Sequence, residues 1–280
     1  MNYQTGVMSV IILAYTRLKD TKRCINSIIN RTYMTPYELV LVYMAGNDAI
    51  LDYFYQVKDL QKQLSKTLGN DNLFKNIIII NNDKNLGLQP GRNQGMSVAT
   101  GEFMMWLDND TWIEDNHALL PVRPGGWVRN RDCLGRFAYW LGTHKKRTGE
   151  YWLLGQTGGY WGPNKITWRR RCIGIMVEVD GLMGYNIAFN REVYDIAGPI
   201  DDFYGVRGRQ DTEFCFNAKY HGFKCQRMGY LGVAHKAGGV LGREYASKFH
   251  ENTAYMIRKW NHPERLKKLN LIPQKEWIHD

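Results

Sequence analysis

Glu102-Phe103-Met104-Met105-Trp106-Leu107-Asp108-Asn109-Asp110 is a short apolar run that ends in a turn carrying two carboxylates. It is the last of four such runs. Met8–Leu13 (MSVIIL) is apolar and β-branched, Glu38–Met44 (ELVLVYM) reads as a second strand, and Asn76–Ile80 (NIIII) is too short and too branched for a helix. Between them lie helical spacings. Cys24, Ile25, Ile28 and Ile29 follow Asp20 as a candidate N-cap, and Ile50, Leu51, Phe54, Leu60 and Leu64 mark a second helix. Pro90 can open a third helix in its first turn and Gly101 can close it. A β-α-β-α-β-α-β series predicts a mainly parallel, Rossmann-like α/β sheet flanked by helices. Ligands bind beyond the carboxyl ends of such strands. Three loops fall there: Ala14–Lys19, Tyr43–Asp48 and Asp108–Thr111.

The composition is that of a folded globular chain. Of 280 residues, 44% are hydrophobic and 23% charged, which excludes a mainly disordered protein, and the 28 glycines show no collagen-like triplet. No stretch reaches the ~18 apolar residues of a membrane span. The best run, Val7–Tyr15, lacks a basic leader and reads as a buried strand. The five cysteines are scattered without a CxxC pair, so free thiols in a reducing, cytoplasmic setting are expected, with any membrane contact peripheral.

The net charge of +10 points to an anionic partner. Its main source is residues 121–180, where eleven Lys and Arg face four Asp and Glu, interleaved with five of the nine tryptophans. Without clear periodicity, this segment predicts a loop-rich or short-stranded insertion. Tryptophan faces suit sugar rings and Arg/Lys suit phosphates. A membrane interface, nucleic-acid phosphates, or a solvated face over a Trp-filled satellite core fit the composition too. Arg191–Ala197 and Asp211–His221 read as short helices closed by Gly198 and Gly222, and a basic amphipathic helix is expected from about Gly242 to Trp260. The expected organisation is one domain over 1–240, with a nucleotide-binding half at 1–110 and an acceptor half at 111–240, then a helical extension over 241–280.

Asp108 and Asp110 are the first chemical signal. Two carboxylates one residue apart on a turn can share a hard divalent cation, or divide between a cation and a sugar hydroxyl. The same residues suit a plain Asx-type turn.

Three ordered blocks carry a family resemblance. Val10-Ile11-Ile12-Leu13-Ala14-Tyr15-Thr16-Arg17 resembles the first strand and nucleotide loop of inverting glycosyltransferase family 2, which has the GT-A fold. Asn85-Leu86-Gly87 with Gly91-Arg92-Asn93-Gln94-Gly95 resembles its NxG…ARNxG segment, and Gly101-Glu102 with Trp106–Asp110 its GEY…LDxD segment. Gly184–Val193 resembles the acceptor-side segment. Gly208–Phe214 is similar to the EDxDL segment and to the WGxEDxD segment of galactosyltransferases, and Val233-Ala234-His235 resembles the strand that supplies a histidine ligand.

The resemblance implies a nucleoside diphosphate sugar donor, with UDP favoured, and a Mn²⁺ or Mg²⁺ cofactor. Asp110 and His235 would hold the metal and Asp108 the ribose or sugar. Ala14, Tyr15, Arg17, Tyr43 and Arg92 would meet the nucleotide, and Asp211 would deprotonate the acceptor hydroxyl. The acceptor would be a carbohydrate or lipid-linked saccharide. Two residues depart from the pattern. Tyr43 stands where the family has an aspartate against uracil, and a phenol cannot replace that charged acceptor. Gln210 stands where the family has glutamate, which removes a like charge beside Asp211 and lowers its tendency to hold a proton. Read without the resemblance, Asp211 could be a helix N-cap and His235 an ordinary histidine. The rival functions are a GT-A-like binding module without turnover and a transferase acting on nucleic acid.

Overall fold

A computed structural model describes residues 3–114, 119–123, 126–129, 132–162, 165–169, 176–205, 208–229, 231–236 and 243–276. Gly242, named above, lies outside the described residues, as do Arg131, Arg170 and Arg171 of the basic segment and one of the five cysteines, Cys172. The chain begins with β1 (Gln4–Ala14), α1 (Leu18–Arg31), β2 (Tyr37–Tyr43), α2 (Asp48–Leu68), β3 (Phe74–Asn81), α3 (Leu88–Val98) and β4 (Gly101–Leu107). The four strands pair in parallel in the order β3-β2-β1-β4. Every residue of β2 is buried, as expected where helices cover both faces. The winding direction reverses between β1 and β4, so their carboxyl ends border a switch-point crevice.

The chain continues through β5 (Thr111–Ile113), β6 (Leu119–Arg123), β7 (Gly126–Arg129), α4 (Cys133–Thr148), β8 (Trp152–Gly155), β9 (Gly158–Gly162) and β10 (Lys165–Arg169). β11 (Met176–Val179), β12 (Gly181–Leu182), β13 (Asn186–Asn190), α5 (Arg191–Ala197), α6 (Gln210–Tyr220), β14 (Lys224–Met228) and β15 (Val233–His235) follow, then α7 (Arg243–Trp260) and α8 (Pro263–Leu269). β13, β8, β14 and β11 extend the main sheet beyond β4, with β13 antiparallel to β4, giving eight strands. β15 pairs with β5 in a separate two-stranded sheet.

Two apolar layers cover the sheet. Val10 and Ile12 face one, Ile11 the other, following the two-residue strand period. Met256, Trp260 and Leu269 of α7 and α8 belong to the second layer. Each such side chain, fully buried, contributes roughly 1.5–3 kcal/mol. Gly91 and Gly95 let α3 lie against β1, because a Cβ at either would collide with Leu13 or Ile11.

Three local expectations are corrected. The N-cap of α1 is Arg17, and Asp20 sits inside the first turn. Gly101 begins β4 instead of closing α3, whose C-cap is Ala99, and a Cβ at Gly101 would meet the Val7 carbonyl at 2.5 Å. The 121–180 segment contains a sixteen-residue helix, α4, capped by Asp132, whose Oδ1 accepts from the Gly135 N–H. Arg136 of this basic segment is wholly buried and Trp140 and Trp152 pack on the core, so part of the segment is interior. Cys24, Cys133, Cys215 and Cys225 are free and buried.

Candidate functional site

The switch-point crevice opens into a cavity of about 550 Å³ whose wall includes Ala14, Tyr15, Arg17, Met44, Asp108 and Asp110. Three strand ends build it. After β1, Arg17 takes a left-handed φ of 70°, a conformation that costs a non-glycine residue on the order of 1 kcal/mol. Its Nε lies 3.3 Å from Asp20, and its Nη1 donates to Asp110 across the crevice. After β2, Gly46 closes on Tyr15, where a Cβ would collide with the Tyr15 carbonyl. After β4, the Thr111 hydroxyl and N–H both donate to the Asp108 carbonyl, at 2.6 and 3.0 Å. Asn109 donates to the Thr16 carbonyl at 3.0 Å and the Thr21 hydroxyl at 2.9 Å. Thr111 and Asn109 thus hold the turn, and both carboxylates face the cavity.

Asp108 Oδ1 accepts from Arg92 Nη2 at 3.0 Å, and the same nitrogen donates to the Gly184 carbonyl at 2.7 Å. Arg92 is buried, with its guanidinium 4.8 Å over the Trp106 ring. Burial pushes Asp108 above its ordinary pKa, with Arg92 opposing. Burial acts on Asp110 in the same sense, but His235 and Arg17 outweigh it and hold that carboxyl below its ordinary value. His235 Nε2 lies 3.4 Å from Asp110 Oδ1, and its ring stacks on Tyr185 at 4.7 Å. The β15–β5 pairing sets His235 opposite Thr111. Ligand atoms of Asp108, Asp110 and His235 all lie within 4.8 Å of one another. Two carboxylates and an imidazole fit a hard or borderline divalent cation.

A second cavity, of about 300 Å³, adjoins the first across Leu88, Asp108 and His235 and contains Asp211. Arg209, not Asp211, holds the N-cap position of α6. Asp211 Oδ2 accepts from the Gly184 N–H at 2.9 Å and Oδ1 from the Thr212 N–H at 2.8 Å. Each oxygen keeps further lone-pair capacity. α6 is anchored from behind. Glu213 is 1% exposed and accepts from Tyr204 at 2.7 Å, Trp260 Nε1 at 2.6 Å and Lys259 at 2.5 Å.

Ala14, Tyr15, Arg17, Arg92, Asp108, Asp110, Asp211 and His235 therefore surround two joined cavities. Tyr43 does not join them. It is 4% exposed in the core and donates to Asp48 at 2.7 Å, a bond that, with burial, pushes its phenol up to about 12. Met44, on the opposite side of the strand end, lines the cavity instead. Sequence reasoning missed Met44, the fastening role of Asn109 and the bridging role of Gly184. Gly184 stood inside a quoted segment, and its lack of a side chain was the available signal.

The family model described as glycosyl transferase family 2 matches residues 9–194. The chain is 29% identical over 123 residues to the putative glycosyltransferase EpsH of Bacillus subtilis, covering 44% of this chain and 31% of that protein. It is 26% identical over 229 residues to the glucosyl-dolichyl phosphate glucuronosyltransferase of Haloferax volcanii, covering 74% of this chain and 59% of that protein. The chain thus spans between 31% and 59% of the length of these two relatives. The solved structure of GalNAc-T7 with UDP, GalNAc and Mn²⁺ is similar at a TM-score of 0.63 and 16% identity, over 93% of this chain and 50% of that one. S. aureus TarS 1–349 is similar at 0.54 and 15% identity, over 80% of this chain and 58% of that one. These likenesses show the GT-A fold.

Proposed function

The chain belongs to glycosyl transferase family 2, and we propose that it moves a sugar from a nucleoside diphosphate sugar to an acceptor hydroxyl with inversion, assisted by Mn²⁺ or Mg²⁺. One observation carries this reading. The ligand atoms of Asp108, Asp110 and His235 converge within 4.8 Å at the switch point, with Asp211 in the adjoining cavity.

Asp110 and His235 would hold the cation, with Asp108 beside them; when bound, it supplies positive charge to the departing diphosphate. Arg92 fixes the Asp108 carboxylate, which would accept from a ribose or sugar hydroxyl. Tyr15, 46% exposed on the cavity wall, would stack on the base. Asp211 takes the acceptor's hydroxyl proton while that oxygen bonds the anomeric carbon. The bond from this carbon to the diphosphate oxygen breaks, and its electron pair leaves with the nucleoside diphosphate. A single displacement inverts the centre.

The UDP in the GalNAc-T7 structure supports a uridine donor. The relative named for glucosyl-dolichyl phosphate supports a saccharide acceptor that is itself lipid-linked. No helix among the described residues is long and apolar enough to cross a membrane. The test is release of nucleoside diphosphate from a panel of nucleotide sugars with Mn²⁺, together with a thermal-shift screen of the free nucleotides. Release that EDTA abolishes supports the transferase. Nucleotide binding with no release from any donor favours a binding module instead.

A further inference from the structure

The residue two positions before Asp211 is Arg209, and the fold spends unusual effort on placing it. Gly208 and Arg209 both take left-handed conformations, with φ of 101° and 70°. A non-glycine residue is held there only when its surroundings fix it. α7 does so from one face, with side chains three and four residues apart. Asn252 Nδ2 donates to the Gly208 carbonyl at 2.9 Å. Arg209 Nε donates to Thr253 Oγ1 at 3.0 Å, and the guanidinium lies 4.5 Å over the Phe249 ring. Stacking and the Nε bond orient a rigid fork of donors. Arg209 and Phe249 line the same cavity as Asp211.

The neighbour supports the same chemistry. Gln210 is 3% exposed, lines this cavity, and its amide nitrogen has no hydrogen-bond partner among the described residues. The two residues before Asp211 therefore offer a cation and a neutral amide to a cavity that Asp108 and Asp211 also line.

We propose that Arg209 binds an oxyanion carried by the acceptor saccharide, a phosphate ester or a carboxylate, next to the hydroxyl that receives the sugar. This deepens the reading of Asp211 as the acceptor-side base and rests on it. The acceptor is then an anionic saccharide, and Arg209 sets that preference.

The test is equilibrium binding to the full chain, with UDP and Mn²⁺ saturating the donor side. The probes are glucose 6-phosphate, glucuronate and glucose. At least one charged probe should bind about tenfold tighter than glucose or better, as a charge-assisted hydrogen bond allows. That gap should narrow with added salt. It should vanish in Arg209→Ala and survive in part in Arg209→Lys, each checked for an unchanged melting profile. A gap for one probe alone names phosphate or carboxylate as the group. Equal binding of charged and neutral probes, or an unchanged gap in Arg209→Ala, overturns the proposal. Failure of the transferase reading shows separately, as no nucleoside diphosphate release by the unmodified protein, because the binding gap needs no turnover.

Discussion

Asp211 accepts a hydrogen bond from the backbone N–H of Gly184 at 2.9 Å. The carbonyl of the same glycine accepts from Arg92 at 2.7 Å, and Arg92 in turn holds Asp108 at 3.0 Å. One peptide segment thus spaces the proposed base from the carboxylate proposed for the donor. Both carboxylates share Gly184 as a support, Asp211 directly and Asp108 through Arg92.

Gly184→Ala tests that spacing. A Cβ there would lie 3.0 Å from both Arg92 Nη1 and the Asp211 Cβ, tighter than ordinary contact. Displacements approaching 1 Å can lower turnover roughly a hundredfold. The variant should lose most of its transfer rate with a small change in melting temperature. Unchanged turnover would show that the spacing is not critical.

Asp110→Ala removes a proposed cation ligand and the partner of Arg17 and His235. Transfer should fall by roughly a hundredfold or more. The Mn²⁺ concentration for half-maximal rate should rise, measured by titrating metal into the release assay. Wild-type metal dependence in this variant would remove Asp110 from the cation site.

Glu213→Ala tests how α7 holds α6. The buried carboxylate accepts from Tyr204, Trp260 and Lys259, and its loss strands those donors. Unfolding in urea should show a loss of about 2–4 kcal/mol. A loss below half that range would mean α7 adds little to the placement of Asp211.

Asp201 links this anchor to pH. Burial raises its pKa, but the bonds from Lys259, the Phe203 N–H and Tyr255 outweigh that and bring it below the ordinary 3.8. A depressed folded value means the contribution is full above the unfolded pKa and is lost as pH falls through the folded one. Stability should therefore decline as the pH drops below about 4, and Asp201→Asn should flatten that decline in unfolding curves taken across the acid range.

The amino-terminal half was legible because its strands are continuous apolar runs, and their alternation with helices puts the ligand loops at the strands' carboxyl ends. Other features depend on distant partners. α4 was hidden because wholly buried Arg136 and the close-packed Gly135 and Gly142 interrupt its apolar stripe. Tyr43 holds the position that the resemblance gives to the nucleotide, and strand alternation turns it into the core and brings Met44 to the cavity. A one-residue shift on a strand changes the face. The proximity of His235 to Asp110 needs the β5–β15 pairing, which no local pattern encodes. The residue itself was found only through the family resemblance.

Asp211 is the proposed base that takes the acceptor proton in the sugar transfer. Asp211→Asn keeps the shape and one acceptor oxygen but removes the base. The decisive measurement is transfer of labelled sugar from the preferred nucleotide sugar, with Mn²⁺, by the unmodified protein and by Asp211→Asn at equal foldedness. The variant should bind nucleotide normally and transfer at least about a hundredfold more slowly. Transfer at the unmodified rate by Asp211→Asn would contradict that role.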